Sequence, residues 1–413
     1  MTTRLALPSA CLAVLLVGSA CQEHQFETCD ITQRACQVDI YYRMLSLRGD
    51  GYDPFGGLPP VSVITEDQYR AILVAGQNTA SGPSPWDRGL ALLHFTSSGT
   101  TSTDGGAGED AGSGGSTLDD EVTHTYAFYS PTEKTVTIIS HPTQVDAYAN
   151  ENAMVTLAHE LVHAMQDREL NLKKEDFKTS DEYFAYKTII EGDARLYEYL
   201  FVDQVLSVLG RKQKDIVSLP TSELDDIYNT FAEQSTPMFL ASLLTYPLGA
   251  KYEALEYQSG GNAAVRHGYS KEPHQTVGFL VGDDGRAPPA SATEVCSGVY
   301  APSLPISKNT SGEDKFGALL FYSFLRGWKV DHPTAFATAQ TWTGDLILVQ
   351  TDAVFSSTAA SWRLEFSATP PASVVRALSA SGELSVTAGP TSLQITTTDS
   401  STPLTWKSFT DCL

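Results

Sequence analysis

The chain is short of positive charge. Across 413 residues it carries 27 lysines and arginines against 49 aspartates and glutamates, a formal net charge of −22. The only basic clusters are Lys173-Lys174 and Arg211-Lys212. Nucleic-acid binding needs clustered cations against phosphate, so that class is excluded as a partner. Docking on anionic lipid through a basic face is excluded for the same reason. Long apolar runs are missing beyond the first twenty residues, which leaves no candidate spanning helix in the rest of the chain. Histidine is scarce at 9 residues, and no internal repeat is visible. What remains is ordinary: 42% hydrophobic and 18% charged residues, in a chain long enough to bury a sizeable core.

Cysteine is also sparse, with 6 residues, and their positions carry information. Arg4 followed by the apolar "LALPSACLAVLLVGSA" reads as an export signal over residues 1–20. It ends at Gly18-Ser19-Ala20-Cys21, which resembles a bacterial lipoprotein cleavage box with Cys21 as the lipidated residue. Leu is usual where Gly18 stands; the other reading is an ordinary secretory signal cut near Ala20. Gln22 after the cysteine favours the outer membrane in a two-membrane bacterium. The expectation is an exported protein of the cell envelope, at the outer membrane or cell surface, touching the membrane only through an N-terminal lipid. Setting aside Cys11 and Cys21 leaves Cys29, Cys36, Cys296 and Cys412, an even number suited to two disulfides in an oxidising compartment. Three pairings are open; Cys29–Cys36 as a local loop and Cys296–Cys412 as a long-range tie are favoured.

Residues 21–36 read as a lipidated tether and residues 97–120, almost entirely Ser, Thr, Gly, Asp and Glu, as a flexible insertion. Between them "DIYYRMLSLRG" is helical, "PVSVIT" a strand and "EDQYRAILVAG" helical again. "THTYAFYSPTEKTVTIIS" has two alternating runs around Ser130-Pro131-Thr132-Glu133 and predicts a hairpin. Two long helices follow, "QVDAYANENAMVTLAHELVHAMQDREL" and "DEYFAYKTIIEGDARLYEYLFVDQVLSVLG", the second capped by Ser180 or Asp181. Residues 220–280 are mainly helical, broken at Pro220, Pro237, Pro247 and Gly260-Gly261. Residues 346–413 form a β-rich C-terminal region with one short helix, "PASVVRALSA". The fold class is α+β, with the main domain over 37–345.

Chemistry concentrates in "HELVH". Residues four apart lie on one helix face, so His159 and His163 can present two imidazoles to one tetrahedral ion, the spacing that makes this motif diagnostic of Zn²⁺. Glu160 is rotated around the helix from His159 and can take a proton from the attacking water. Met154, Val155, Leu157, Leu161, Val162 and Met165 let the helix be buried. A third ligand is needed, and no further histidine follows at the extended spacing, since Arg168 and Glu169 come after Asp167. Glu191 is chosen, because Thr188-Ile189-Ile190 before it reads as interior and Gly192 after it permits close helix approach. Against this stands an exposed ion pair of Glu191 with Arg195. Asp193 points elsewhere and is a candidate either for supporting a ligand from behind or for packing the helix. Glu198, two turns on, is the substitute ligand.

His159-Glu160-x-x-His163 with a glutamate on a following helix resembles the gluzincins, the thermolysin-like class of zinc peptidases. The wider resemblance is to a set of exported bacterial and archaeal proteins with "HELxHALQDQxF…EGDA" blocks, here "HELVHAMQDREL" and "IIEGDARL". Weaker later blocks are "YPLGAKYEALEYQSGGNAAVRHGYSKEPHQT" and "AFATAQTWTGD". The match runs from the hairpin to about Asp345. It implies a zincin-like domain with a small sheet before the motif helix, a Zn²⁺ cofactor held by His159, His163 and Glu191, and Glu160 as general base acting on a peptide or protein substrate. A strand of the hairpin would then be the edge that pairs with an extended peptide. Two departures stand out. Arg195 occupies the position where thermolysin-like enzymes carry an aspartate, and Leu280-Val281-Gly282 stands where the resembling proteins read Leu-His-Pro. Tyr246, Tyr257, His267, Tyr269 and His274 are all open as donors to the developing oxyanion. Two other readings compete: a non-catalytic envelope or binding protein with a structural zinc, and a zinc hydrolase of a non-peptide substrate.

Overall fold

The computed structural model describes residues 28–50, 56–77, 85–96, 122, 125–140, 151–172, 177–203, 216–231, 235–269, 275–281, 295, 300–303, 309–352, 357–399 and 405–408. Cys21, the 97–120 insertion, His274 and the Cys296–Cys412 pair lie outside them. The architecture is mixed α+β with small sheets. No helix among the described residues is long and apolar enough to cross a membrane.

Helix α1 (Arg34–Leu47) opens the fold, earlier than the tether boundary at 36 placed it. Ile31, Cys36, Ile40, Tyr41 and Met44 all enter the core, and a Cys29–Cys36 disulfide ties the preceding loop to the first turn. Strand β1 (Val61–Thr65), helix α2 (Glu66–Gln77) and helix α3 (Pro85–Leu92) follow. The expected hairpin is β2 (Ala127–Ser130) and β3 (Thr135–Ser140), its turn closed by Lys134 at φ 54°. β1 runs parallel to β3 on the other side, so the sheet order β1-β3-β2 leaves β2 at an edge.

Helix α4 (Glu151–Leu170) carries the HELVH segment and ends at Asn171, which takes the left-handed conformation at φ 56°. Helix α5 (Ser180–Phe201) is capped by Thr179, whose side chain accepts from the Glu182 N–H, and not by Ser180 or Asp181. Thr179-x-x-Glu182 is a capping-box spacing. Ser180 and Asp181 are engaged elsewhere: Ser180 donates to Asp314, and Asp181 accepts from Thr276.

Helix α6 (Ser218–Asp226) holds Pro220 in its first turn, where a missing N–H is harmless. Helix α7 (Pro237–Gly260) begins at Pro237 and stops at Gly260-Gly261, as expected, but runs unbroken through Pro247. Losing one intrahelical bond there is offset by burial on both sides of the proline, with Leu244, Leu248 and Gly249 all packed inward. The α5–α7 crossing is backbone on backbone. A Cβ on Gly192 would lie 2.3 Å from the Gly249 carbonyl carbon, and one on Gly249 would lie 1.8 Å from the Thr188 oxygen. Glycine at both positions allows this approach, which brings the middle of α7 against the α5 backbone at Gly192, next to Glu191.

Helices α8 (Asn262–Tyr269) and α9 (Thr276–Val281) follow, then strands β4 (Tyr300–Ser303) and β5 (Asn309–Asp314), and helices α10 (Gly317–Gly327) and α11 (His332–Ala339). The C-terminal region is β6 (Trp342–Asp352), β7 (Thr358–Phe366), helix α12 (Ala372–Ser379), β8 (Ser385–Ala388), β9 (Ser392–Thr398) and β10 (Thr405–Ser408). β10 pairs with β4, and the main sheet has the order β5-β6-β7-β9-β8. The division drawn at 345 falls inside β6. That sheet shares one core with α5, α7 and α10, through Trp362, Phe321, Phe324 and Leu244. A second core joins α1, the hairpin, α4 and the later half of α5. Helix α5 therefore spans both cores: Phe184 and Ile189 lie in the first, Ala194, Leu196 and Tyr197 in the second. Glu191 sits at the seam.

Candidate metal centre

Helix α4 is buried along a continuous stretch from Leu157 to Asp167 except for its ends. Apolar residues around it hold the backbone in place, so His159 and His163 emerge from one face with little freedom. Helix α5 lies alongside and delivers Glu191 to the same point. All three ligand candidates are buried, at 6%, 5% and 2% exposure. Their donor atoms form a nearly equilateral triangle: His159 Nε2 to His163 Nε2 3.0 Å, His159 Nε2 to Glu191 Oε2 3.3 Å, and His163 Nε2 to Glu191 Oε2 3.4 Å. A tetrahedral ion with bonds of about 2.0–2.1 Å separates its ligand atoms by about 3.3 Å. The triangle fits that requirement, and His159, His163 and Glu191 form the one group among the described residues able to hold a metal ion.

Hydrogen bonding explains why the triangle points inward. His163 Nδ1 is 2.7 Å from Gln166 Oε1. Gln166 Nε2 faces the Ile190 carbonyl at 2.8 Å and Asp193 Oδ2 at 2.8 Å, both of which can only accept. The amide oxygen must therefore be the atom that faces His163. That contact suits a proton on His163 Nδ1, which leaves the Nε2 lone pair for the centre. His159 Nδ1 lies 3.3 Å from Glu198 Oε2 without a well-aligned hydrogen bond, so the carboxylate stands behind the second ring as a charge partner. Glu191 Oε2 is buried and accepts no well-aligned hydrogen bond. Three buried acceptors turned towards one another call for a cation among them.

The charges report the same demand. Burial alone would lower the His159 pKa, yet Glu191 and Glu198 against its two nitrogens outweigh burial and lift it to about 9. Burial pushes the Glu198 carboxyl up, but Arg195 and His159 overcome it and hold it at about 2. Glu191 is likewise held well below the ordinary carboxylate range against its own burial, by the two histidines and Lys187. Lys187, one turn earlier on α5, places Nζ 3.9 Å from Glu191 Oε1 and donates to Ser242 on α7 at 3.3 Å. The oxygen that Glu191 turns away from the histidines is thus the one beside the ammonium.

Each residue singled out in the sequence has a definite place. Glu160 is buried at 2% exposure beside the triangle, and its charge contributes to raising His159. Glu191 does not pair with Arg195; that guanidinium bonds Glu198 and Glu223. Glu198 stands behind His159 and not among the three inward donors. It supplies the carboxylate contact to that ring which the arginine at 195 cannot. Asp193 is two contacts from His163: its Oδ2 accepts from Gln166 and, at 2.7 Å, from the fully buried Arg48. Tyr246 has its ring 6.0 Å from that of His159, nearly parallel to it. Tyr269 contacts Gln166 through its hydroxyl, Tyr257 packs against the α1–α4 core, and His267 is exposed on α8.

Gln166, Lys187 and Arg48 were not anticipated. Gln166 had a legible signal, since it lies three residues after His163 on the same face. Lys187 had a similar one, four residues before Glu191. Arg48 had none, because nothing in the sequence links the end of α1 to Asp193.

Comparison with protein-family models, with curated proteins and with solved structures gives no match to this chain.

Proposed function

We propose that this chain is an exported, lipid-anchored zinc metallopeptidase of gluzincin type, built on a zincin-like domain. The observation that carries the reading is the buried triangle of His159 Nε2, His163 Nε2 and Glu191 Oε2 with the buried carboxylate of Glu160 next to it. Two imidazoles and one carboxylate are a donor set suited to zinc that leaves a fourth position open, as hydrolytic centres require. When bound, the ion would polarise a carbonyl and acidify a water. The remaining work falls to side chains. His163 presents a lone pair with its proton directed to Gln166, and His159 does so with the Glu198 carboxylate behind its ring. Glu191 supplies the only anionic donor of the three, its second oxygen beside Lys187. Glu160 accepts the water proton and passes it to the departing amine. Tyr246, with its ring 6.0 Å from that of His159, is a candidate donor to the developing oxyanion. β2, an edge strand of the three-stranded sheet among the described residues, packs against α4 and offers backbone groups to an extended peptide.

The presence of Glu160 favours hydrolysis over a purely structural ion, because a metal staple has no use for a buried carboxylate at that position. Purified protein incubated with a proteome-derived peptide library tests the reading, with Glu160→Gln as control. Cleavage should fall by about two orders of magnitude or more in the variant, while metal content and melting temperature stay near wild type. Cleavage that survives Glu160→Gln would show the mechanism to be wrong; hydrolysis of esters or other amides without peptide cleavage would move the substrate class.

A further inference from the structure

The metal centre is held from behind by a polar relay that crosses three helices, and its middle member is Gln166. His163 Nδ1 meets Gln166 Oε1 at 2.7 Å. Gln166 Nε2 reaches the Ile190 carbonyl and Asp193 Oδ2, each at 2.8 Å, on the helix that carries Glu191. Asp193 Oδ2 also takes the Arg48 guanidinium at 2.7 Å, and Arg48 lies over the Tyr197 ring at 4.7 Å. Gln166, Asp193 and Arg48 are at most 2% exposed. Burying so many polar groups is costly unless they are mutually satisfied and oriented.

We infer that Gln166 is a positioning residue for the metal: its amide fixes the Nδ1–H tautomer of His163, so that the Nε2 lone pair faces Glu191. The inference rests on the reading of His159, His163 and Glu191 as a metal centre and adds a residue that does not touch the metal. The amide is suited to this task for a reason of proton count. It must accept from His163 and donate to two groups that only accept, Ile190 O and Asp193. A carboxylate at 166 could satisfy His163 but would meet Asp193 with no proton to give. An alanine would leave the His163 N–H and the Ile190 and Asp193 oxygens without that partner. Arg48 extends the relay to α1 and neutralises Asp193, which would otherwise be a bare buried charge beside the amide.

Two measurements test this in the full chain. The first needs no variant. In zinc-loaded wild type, ¹⁵N-imidazole NMR should show His163 protonated at Nδ1 and metal-bound at Nε2. The second is zinc affinity by chelator competition, together with melting temperature. Gln166→Ala and Gln166→Glu should each weaken zinc about 10- to 100-fold, the usual scale for removing a ligand's outer partner. Adding Asp193→Asn to Gln166→Glu should recover part of the loss, because the new amide at 193 can donate to the new carboxylate at 166; recovery stays incomplete, since Ile190 O loses its donor and Arg48 its counter-charge. A generic packing defect would not be rescued by that pair. A wild-type spectrum with the His163 proton on Nε2, or wild-type zinc affinity in folded Gln166→Ala, overturns the inference while leaving the metal centre standing. Absence of zinc from wild type overturns both.

Discussion

Two glutamates on α5 meet opposite sides of one histidine ring. Glu191 and Glu198 are seven residues apart, on one face, and both contact His159. Their roles differ by which ring nitrogen they meet: Glu191 faces Nε2 on the inner side, and Glu198 faces Nδ1 behind. Glu191→Ala should therefore abolish stoichiometric zinc binding, whereas Glu198→Ala should keep one zinc at about 10- to 100-fold weaker affinity. Chelator competition on the two variants checks this, and the opposite ranking would exchange the assignments. At this scale the histidine pair, Glu160 and the inward position of Glu191 were legible, because periodicity and apolar neighbours define which face of a helix is inside. The outer partners were not, since a side chain's direction behind a ligand depends on which helix happens to cross there. Arg195 illustrates it. An i,i+4 pair with Glu191 satisfied local rules, yet burial of Glu191 in the α4–α5 seam removed that partner and gave Arg195 to Glu198 and Glu223.

Among the secondary-structure elements, the long helices, the hairpin and the C-terminal strands follow from 3.6- and 2-residue patterns in the sequence. What escaped were points settled by tertiary packing: the unbroken passage of α7 through Pro247, the cap at Thr179, and the start of α1 at Arg34. The junction that anchors α5 is of this kind. Asp181 in its first turn sits among carboxylates from two strands, Asp314 at the end of β5 and Asp345 in β6. Asp345 accepts from the Phe316 and Gly317 N–H groups and from Trp362 Nε1. Burial raises the Asp181 pKa; the Thr276 hydrogen bonds oppose it, Asp345 and Glu182 add to it, and the result is about 7. Burial likewise lifts Asp314 to about 6 and raises Asp345. Acids with raised folded pKa values bind more protons folded than unfolded. Their contribution is complete below the unfolded value near 4 and is lost as pH rises through 6 and 7. Asp181→Asn keeps an acceptor for Thr276 and removes the titration. Relative to wild type, the variant should gain stability between pH 4 and pH 8, on the order of a few kcal/mol. Chemical denaturation across that range measures it, and a difference independent of pH would contradict the assignment.

For the molecule as a whole, two cores meet along α5, and the candidate centre lies on that seam, where rigid elements from both sides fix its donors. The broad α+β class was readable in advance, while α3, β4, β5, α10 and α11 carried no reading. The joining of the C-terminal sheet to the helical core was not, because it depends on Trp362, Phe321 and Phe324 meeting across more than thirty residues of chain. The anchoring proposal belongs to this scale too. Wild type should fractionate with membranes, and Cys21→Ser should release it or block processing; unlipidated wild type beginning near Cys21 would refute it. The central claim is that His159, His163 and Glu191 hold one metal ion. Metal analysis of purified wild type beside His159→Ala tests it most directly. The proposed function predicts close to one zinc per chain in wild type and almost none in the variant, with the fold retained. Wild type without stoichiometric metal, or metal undiminished in His159→Ala, would contradict it.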